Sequence, residues 1–328
     1  MFSKLLKIVG ALFLLVIVAA AGAITYVKTA LPNVGPPPDL KIERAPGMVA
    51  RGEYLANHVT VCMDCHSTRD WTRYSAPLLP GTLGKGGEVF DQSFGFPGSF
   101  VSRNITPAGV GAWTDGELFR VITTGVTRDG SAIFNVMPYA NYGRMDPEDI
   151  KAVIAYVRSL PPITNSVPAH QLDFPVNILL NTIPQKAAPS VRPPASDVLA
   201  TGAYLTNAAA CAECHTKAVH GKKVGAPFAG GFEFNLGHGN IVRSANITPH
   251  ETGIKALTKA DFVARFKSYA NPAAVPLVDA AKGDVLTVMP WTMYAGMTEQ
   301  DLGAIYEYLR TVPPVENRVE RWTSGSAK

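Results

Sequence analysis

The hydrophobic pattern of the chain opens with one long apolar segment. Every residue from Ile8 to Ile24 is apolar or small, and the apolar character continues to Val27. A helix that crosses a membrane needs about 17–25 apolar residues, and Leu5–Val27 is long enough. We therefore predict that residues 1–30 form an N-terminal transmembrane anchor.

A cleaved secretory signal is the alternative for the same segment. Lys4 and Lys7 supply the basic start of such a signal, and Ala21-Gly22-Ala23 would serve as its cleavage site. We favour the anchor because of its length. Under either interpretation the two lysines stay in the cytoplasm, by the positive-inside tendency, and the rest of the chain is exported to the periplasm.

Later segments have the hydrophobic spacing of amphipathic helices, and they occur twice. Pro147–Leu160 carries apolar residues at i, i+3, i+4 and i+7 from Ile150, and Glu299–Val312 is the equivalent segment. Met137–Pro162 aligns without gaps on Met289–Pro314, with 10 of 26 positions identical. The second copy carries an insertion, about residues 271–284, before its Met-Pro dipeptide. The chain therefore contains an internal repeat.

A second pair of helices supports the repeat. A short helix is predicted at Ala50–Asn57 and again at Ala200–Asn207. Gly52 and Gly202 would permit these helices to approach the final helices closely.

The tetrapeptide Asn-Ile-Thr-Pro also occurs in both copies, at residues 104–107 and 246–249. Both are glycosylation sequons, but identical placement in two copies favours a local role in the backbone. A helix with a capping box is expected after each tetrapeptide, with Thr114 and Glu117 in the first copy and Thr258 and Asp261 in the second.

These patterns divide the chain into successive regions. The linker contains an apolar segment, Phe174–Ile183, which we expect to pack against a domain. The predicted regions are an anchor or signal at 1–30, a proline-rich spacer at 31–47, a first domain at 48–162, a linker at 163–197, a second domain at 198–316 and a tail at 317–328.

Charge excludes one class of partner. The net charge is +4, yet residues 30–160 carry 12 Lys and Arg against 13 Asp and Glu, and residues 196–328 carry 13 against 12. Neither predicted domain is a basic platform, so nucleic-acid binding has no support.

The cysteines carry the strongest functional signal in the sequence. Cys62-Met63-Asp64-Cys65-His66 has the spacing C-x-x-C-H, which recurs as Cys211-Ala212-Glu213-Cys214-His215. This is the attachment sequence of c-type haem, in which two thiols form thioethers and the histidine ligates the iron. On a helical turn, residues i, i+3 and i+4 share one face, so all three groups can meet one flat macrocycle. The two motifs use all four cysteines and predict two covalently bound haem c groups.

A zinc site or a thioredoxin-like redox pair are the alternatives. A C-x-x-C…C-x-x-C zinc site requires its halves close in sequence, whereas 149 residues separate Cys62 from Cys211. A redox pair does not require a histidine after each motif. We therefore favour covalent haem.

The ligand opposite each histidine is predicted to be a methionine. Met145 and Met297 precede helix starts and fit the hydrophobic staple position. Met137 and Met289 stand in loops before a proline, and we assign them as the axial ligands. His238 is retained as an alternative iron ligand. Arg103 and Arg243 stand beside the Asn-Ile-Thr-Pro tetrapeptides as candidate partners of haem propionates.

The order of these motifs resembles a known family. Two C-x-x-C-H modules, each with a preceding Gly-x-Tyr-Leu helix and a following Asn-Ile-Thr-Pro, Met-Pro and final helix ending in Pro-Pro, resemble membrane-anchored dihaem cytochromes c. These are similar to the cytochrome subunits of bacterial alcohol, gluconate and aldehyde dehydrogenases. The resemblance covers about residues 45–320, although those subunits usually carry three haem modules. It implies an all-α fold with two tandem class I cytochrome c domains behind an N-terminal transmembrane helix.

The same resemblance implies a function. The chain would carry electrons from a periplasmic dehydrogenase subunit to the respiratory chain, with a quinone, another cytochrome or a terminal oxidase as acceptor. It would lie at the bacterial inner membrane with both haem domains in the periplasm, and it would not itself be an enzyme. A dihaem peroxidase or a thiosulfate-oxidising haem enzyme is the alternative, and either would have one open or non-methionine iron site.

Overall fold

The computed structural model describes residues 2–219 and 221–325 of the chain. The apolar segment forms the helix α1, Phe2–Ala30, whose residues are exposed apart from the half-buried Val27. By length and composition this helix could cross a membrane. The apolar linker segment contacts the end of α1, where Asn181 Nδ2 donates to the carbonyl of Leu31 at 3.0 Å. The sequence did not predict this partner.

The remaining elements are short and follow one another in two similar series. A π-helical turn, Leu55–Val59, continues the first helix of the first series. The helices after α1 are α2 (Pro46–Tyr54), α3 (Cys62–Cys65), α4 (Pro107–Val110), α5 (Asp115–Thr124), α6 (Tyr139–Tyr142), α7 (Pro147–Ser159), α8 (Val176–Leu179), α9 (Val198–Ala208), α10 (Cys211–Cys214), α11 (Lys259–Lys267), α12 (Trp291–Tyr294) and α13 (Glu299–Leu309). The strands are β1 (Val89–Phe90), β2 (Gly98–Val101), β3 (Gln171–Leu172), β4 (Ala218–Val219), β5 (Lys222–Lys223), β6 (Glu233–Asn235), β7 (Ile241–Arg243) and β8 (Trp322–Thr323).

The prediction of an all-α fold is not confirmed, because the strands form three small antiparallel sheets. Their orders are β1-β2-β3, β4-β5 and β6-β7-β8. β3 comes from the predicted linker and pairs Leu172 with Gly98, while β8 comes from the predicted tail and pairs Trp322 with Val242. Strands of two to four residues have too few positions to show an alternating pattern, so no periodic signal for them exists in the sequence.

We call residues 50–162 the first repeat and residues 200–314 the second repeat. In each repeat the first helix crosses the final helix. α2 packs against α7, and α9 packs against α13. A Cβ atom on Gly52 would lie 1.8 Å from the carbonyl oxygen of Ala152, and one on Gly202 would lie 2.0 Å from that of Ala304. The backbones therefore touch at both crossings, which confirms the predicted role of these glycines.

The predicted helix starts are present. Thr114 and Glu117 form a reciprocal capping box at α5, and Thr258 and Asp261 form one at α11. At α7 the side chain of Asp146 accepts from the backbone N–H of Glu148 at 2.8 Å. These contacts satisfy N–H groups that the first turn of a helix leaves without partners.

The two repeats are joined by reciprocal tyrosine contacts. Tyr54 donates to Asp301 Oδ2 at 2.5 Å and accepts from the backbone N–H of Thr298, at the start of α13. Tyr204 makes the same pair of contacts with the start of α7, donating to Asp149 Oδ2 at 2.8 Å. Each repeat thus caps the final helix of the other, and the two are held in one arrangement.

Tyr54→Phe is expected to lower the free energy of unfolding by about 1.5 kcal/mol, because it removes a hydrogen bond to a carboxylate. Burial and the neighbouring Asp301 carboxylate raise the pKa of Tyr54 to about 12. Because the pKa of Tyr54 is higher in the folded state than the usual value near 10, its hydrogen bond contributes its full stabilisation below about pH 10. That stabilisation is lost as the pH rises towards 12. Urea unfolding of the detergent-solubilised protein should therefore show that the difference in unfolding free energy between wild type and variant becomes smaller over that pH range.

Tyr308→Phe is the matched control for Tyr54→Phe. Among residues 2–219 and 221–325, no hydrogen-bond partner is found for the Tyr308 hydroxyl, and its ring packs near Phe228. This variant should keep the wild-type stability at neutral pH. Equal losses in the two variants would show that the tyrosine contact between the repeats contributes nothing specific.

Candidate functional site

Each C-x-x-C-H motif forms a single helical turn. The backbone N–H of His66 donates to the carbonyl of Cys62 at 3.0 Å, and His215 repeats this contact with Cys211 at 2.8 Å. A left-handed residue precedes each turn, Val61 with φ of 44° and Ala210 with φ of 51°. A non-glycine residue held in this region stores strain, which typically occurs at functional sites. In a turn of this kind residues i, i+3 and i+4 share one face, which is where the spacing predicts the two thiols and the imidazole.

The imidazoles are oriented by backbone carbonyls. His66 Nδ1 lies 2.7 Å from the carbonyl oxygen of Arg103, and His215 Nδ1 lies 2.8 Å from that of Ala245. A carbonyl can only accept, so Nδ1 carries the proton and Nε2 keeps its lone pair. Burial lowers the pKa of both histidines, which favours the neutral, ligating form.

The Asn-Ile-Thr-Pro tetrapeptides hold these carbonyls in place. Asn104 Oδ1 accepts from the backbone N–H of Thr106 at 3.0 Å, and Asn104 Nδ2 donates to the carbonyl of Ile163 at 2.7 Å. Asn246 makes the equivalent contacts, with Val315 in the place of Ile163. Both asparagines are buried. The structural role predicted for the tetrapeptide is confirmed, and it is to tie the loop beside the histidine to the end of the repeat.

The side chains of Arg103 and Arg243 were predicted to meet propionates. The backbone carbonyl of Arg103 orients His66. Every residue has such a carbonyl, so this contact does not require an arginine. The Arg243 guanidinium donates to Glu233 Oε1 at 2.7 Å. Arg243 thus already has an acidic partner within the protein.

The four methionines separate into two kinds. Met145 and Met297 are both only 1% exposed and belong to the hydrophobic core. Met137 and Met289 are half-buried loop residues at the edge of that core. His238, the alternative ligand, is exposed in the turn between β6 and β7.

The loop that carries Met289 is held by the first repeat. Ser75 Oγ donates to the carbonyl of Met289 at 2.7 Å and accepts from the backbone N–H of Trp291 at 3.0 Å. Nearby, Arg73 Nη1 donates to the carbonyl of Val275, within the predicted insertion, at 2.7 Å. These contacts join residues about 200 positions apart, so no local pattern could have predicted them.

Two buried tyrosines that no sequence motif singled out contact the backbone just before the attachment turns. Tyr142 donates to the carbonyl of Thr60 at 2.8 Å, and Tyr294 donates to the carbonyl of Ala209 at 2.9 Å. Burial raises the pKa of Tyr294 well above its usual value, and the nearby thiols of Cys211 and Cys214 add to the rise, as do Asp64 and Cys65 of the other motif. The two tyrosines occupy matching positions in the repeat, and this identity was the signal available in the sequence.

The donor set fits haem c. Each repeat offers two free thiols and one imidazole with an available Nε2 on the same helical turn. Cys62, Cys65 and Cys211 are half-buried and Cys214 is exposed. Thioether formation and iron ligation require these groups in this arrangement.

Comparison with known proteins agrees with this chemistry. Residues 199–313 match the family model for cytochrome c. A dihaem cytochrome c-type protein of Cereibacter sphaeroides is 29% identical over 280 residues, which are 82% of this chain and 88% of that protein. The cytochrome c subunit of a quinone-dependent alcohol dehydrogenase from Gluconacetobacter polyoxogenes is 27% identical over 82% of this chain and 56% of the subunit. The fructose dehydrogenase cytochrome subunit of Gluconobacter japonicus is 28% identical over 81% of this chain and 52% of the subunit.

Residues 199–313 therefore match a cytochrome c domain, and these comparisons, together with the duplicated donor set, support covalently bound haem c and a role in electron transfer. The chain is similar to dihaem cytochromes and to the cytochrome subunits of dehydrogenases, and two haem groups agree with its two motifs. The chain spans about half of the length of those dehydrogenase subunits.

Proposed function

We propose that the chain is a membrane-anchored dihaem cytochrome that carries electrons from a periplasmic dehydrogenase to a respiratory acceptor. The observation that carries the proposal is the duplicated C-x-x-C-H turn, in which a backbone carbonyl orients each histidine in the same way. Two sites with the same oriented histidine suit a carrier that takes an electron at one site and releases it at the other.

Each side chain of the first site has a defined task. The thiols of Cys62 and Cys65 attach one haem, and His66 binds its iron through Nε2 while Nδ1 donates to the carbonyl of Arg103. Met137 would supply the thioether as the second ligand of the iron. When bound, the haem supplies one-electron redox chemistry, and the protein tunes its potential through ligation and burial.

The second site uses the equivalent residues. Cys211 and Cys214 attach the haem, and His215 and Met289 bind the iron. With a histidine and a methionine holding each iron, oxygen and peroxide would be kept away from it, and neither site would be suited to peroxidase chemistry.

The helix α1 supports a membrane location. Its exposed apolar length is compatible with a span of the bacterial inner membrane, and Lys4 and Lys7 would lie on the cytoplasmic side. The haem-binding repeats would then stand in the periplasm, beyond the spacer at 31–47. A dehydrogenase donor is supported by the names of three relatives, which are the cytochrome subunits of alcohol, fructose and gluconate dehydrogenases.

Replacing all four attachment cysteines with alanine tests this function. Membranes from cells that carry the variant should lose the oxygen uptake driven by one of the substrates alcohol, fructose or gluconate, while direct reduction of an artificial dye by the same dehydrogenase persists. The result follows because the electron path, and not the dehydrogenase, is removed. Unchanged oxygen uptake with all three substrates would contradict a dehydrogenase of this group as donor, and rapid peroxide turnover by the purified wild-type protein would contradict a pure carrier.

A further inference from the structure

The two attachment turns differ in the charges beside them. In the first turn Asp64, between Cys62 and Cys65, is buried and lies 3.2 Å from Nη1 of the buried Arg69. The same guanidinium donates to Glu88 Oε1 at 2.9 Å. Trp71 Nε1 donates to that oxygen at 2.8 Å, and the Trp71 ring lies 4.1 Å from the guanidinium carbon. We call Asp64, Arg69, Trp71 and Glu88 the Arg69 cluster.

The Arg69 cluster holds two carboxyl groups and one cation. Glu88 is nearly as buried as Arg69, with 11% of its side chain exposed. A buried charge acts more strongly than an exposed one, because little water or salt screens it. The cluster therefore places two buried carboxyl groups against one buried cation beside Cys65.

The second turn has the opposite balance. Glu213 occupies the position of Asp64 but is exposed, and it pairs with the exposed Lys223 at 2.8 Å. Lys217 and Lys222 are also exposed on the segment that follows this turn. Exposed pairs of this kind are largely screened by solvent, so this site carries no buried negative charge from the equivalent residue.

The charge beside each turn acts on the haem that the turn would attach. Reduction of a haem iron adds one electron, so a nearby excess of negative charge disfavours the reduced state and lowers the potential.

We propose that the Arg69 cluster sets the direction of electron flow, by giving the haem at Cys62, Cys65 and His66 a lower reduction potential than the haem at Cys211, Cys214 and His215. One electron then passes from the ferrous iron at His66, which becomes ferric, to the ferric iron at His215, which becomes ferrous. No bond is made or broken, and no proton is transferred. The dehydrogenase would donate to the first repeat and the acceptor would be reduced by the second. This inference rests on the proposed function.

The test is a spectroelectrochemical titration of the purified holoprotein with the isosteric variant Glu88→Gln. The introduced amide can keep the contacts with Arg69 and Trp71 through its carbonyl oxygen, so the fold is retained while one negative charge is removed. The lower of the two midpoint potentials should rise, changing the electron partition on the order of tenfold, which is about 59 mV for one electron. The higher potential should not move. Asp64→Asn is a second variant expected to move the lower potential in the same direction.

Glu213→Gln is the matched control. It removes a carboxylate at the equivalent position of the exposed turn and should leave both potentials unchanged. The inference is overturned if Glu88→Gln raises the higher potential, or if neither cluster variant moves the lower one. A failure of the proposed function would differ, because the wild-type protein would then lack two reversible one-electron steps or two haem groups per chain by mass.

Discussion

Gly52→Ala is expected to destabilise the first repeat by about 3 kcal/mol, because the added methyl group would overpack the crossing of α2 and α7. A Cβ atom there would lie 1.8 Å from the carbonyl oxygen of Ala152 and 2.9 Å from Cβ of Tyr156. The nearest atom belongs to helical backbone, which cannot rotate away as the end of a flexible side chain could. Urea unfolding of the haem-loaded protein, followed by circular dichroism, measures the loss.

Gly47→Ala is the matched control in the same helix. Apart from Gly47 itself, its two neighbours in the chain and the backbone of α2, no atom of residues 2–219 and 221–325 lies within 4 Å of a Cβ at this position. Alanine forms helix better than glycine by up to about 1 kcal/mol, so this variant should be neutral or slightly stabilised. If both variants lose the same stability, helix propensity and not the close crossing governs α2, and our account of the repeat core is wrong.

The contrast between these glycines shows what the sequence can predict. The repeat marked Gly52 and Gly202 as equivalent, and the periodicity of the final helix indicated which face needed a close partner. The capping boxes at Thr114 and Thr258 were predictable for a similar reason, since a helix start uses residues only three positions apart. Local patterns therefore predicted the longer helices and the two attachment turns.

Contacts between distant segments were not predictable in the same way. The histidine Nδ1 atoms meet carbonyl groups, which every residue has, so the sequence carries no signal for the partner of His66 or His215. Ser75 reaches the Met289 loop across more than 200 residues. The strand β3 forms because the linker lies beside β2, and its two residues are too few to show an alternating pattern. The order of the haem potentials likewise depends on Glu88, which is 22 residues from the motif that it influences.

The assignment of the axial ligands gives the second large expected effect. Met289→Ala should remove the sulfur ligand from one iron of the holoprotein. The absorption band of thioether–iron ligation should fall to about half, and one midpoint potential should drop, since methionine ligation raises the potential. The loop itself should remain in place, because its backbone is held by Ser75 Oγ and by the N–H of Trp291. Met137→Ala should give the same spectral loss at the other haem.

Met297→Leu is the control for ligation, and comparison with it decides between the two kinds of methionine. Met297 is 1% exposed in the core, and leucine has a similar volume, so a cost of less than about 1.5 kcal/mol and an unchanged spectrum are expected. If Met297→Leu loses the band and Met289→Ala keeps it, the assignment is reversed.

Met289→Ala also has a consequence for the direction of electron flow. Lowering the potential of the second haem opposes the downhill step that the Arg69 cluster creates, so electron transfer from the first haem to the second should slow, and Glu88→Gln in the same protein should slow it further.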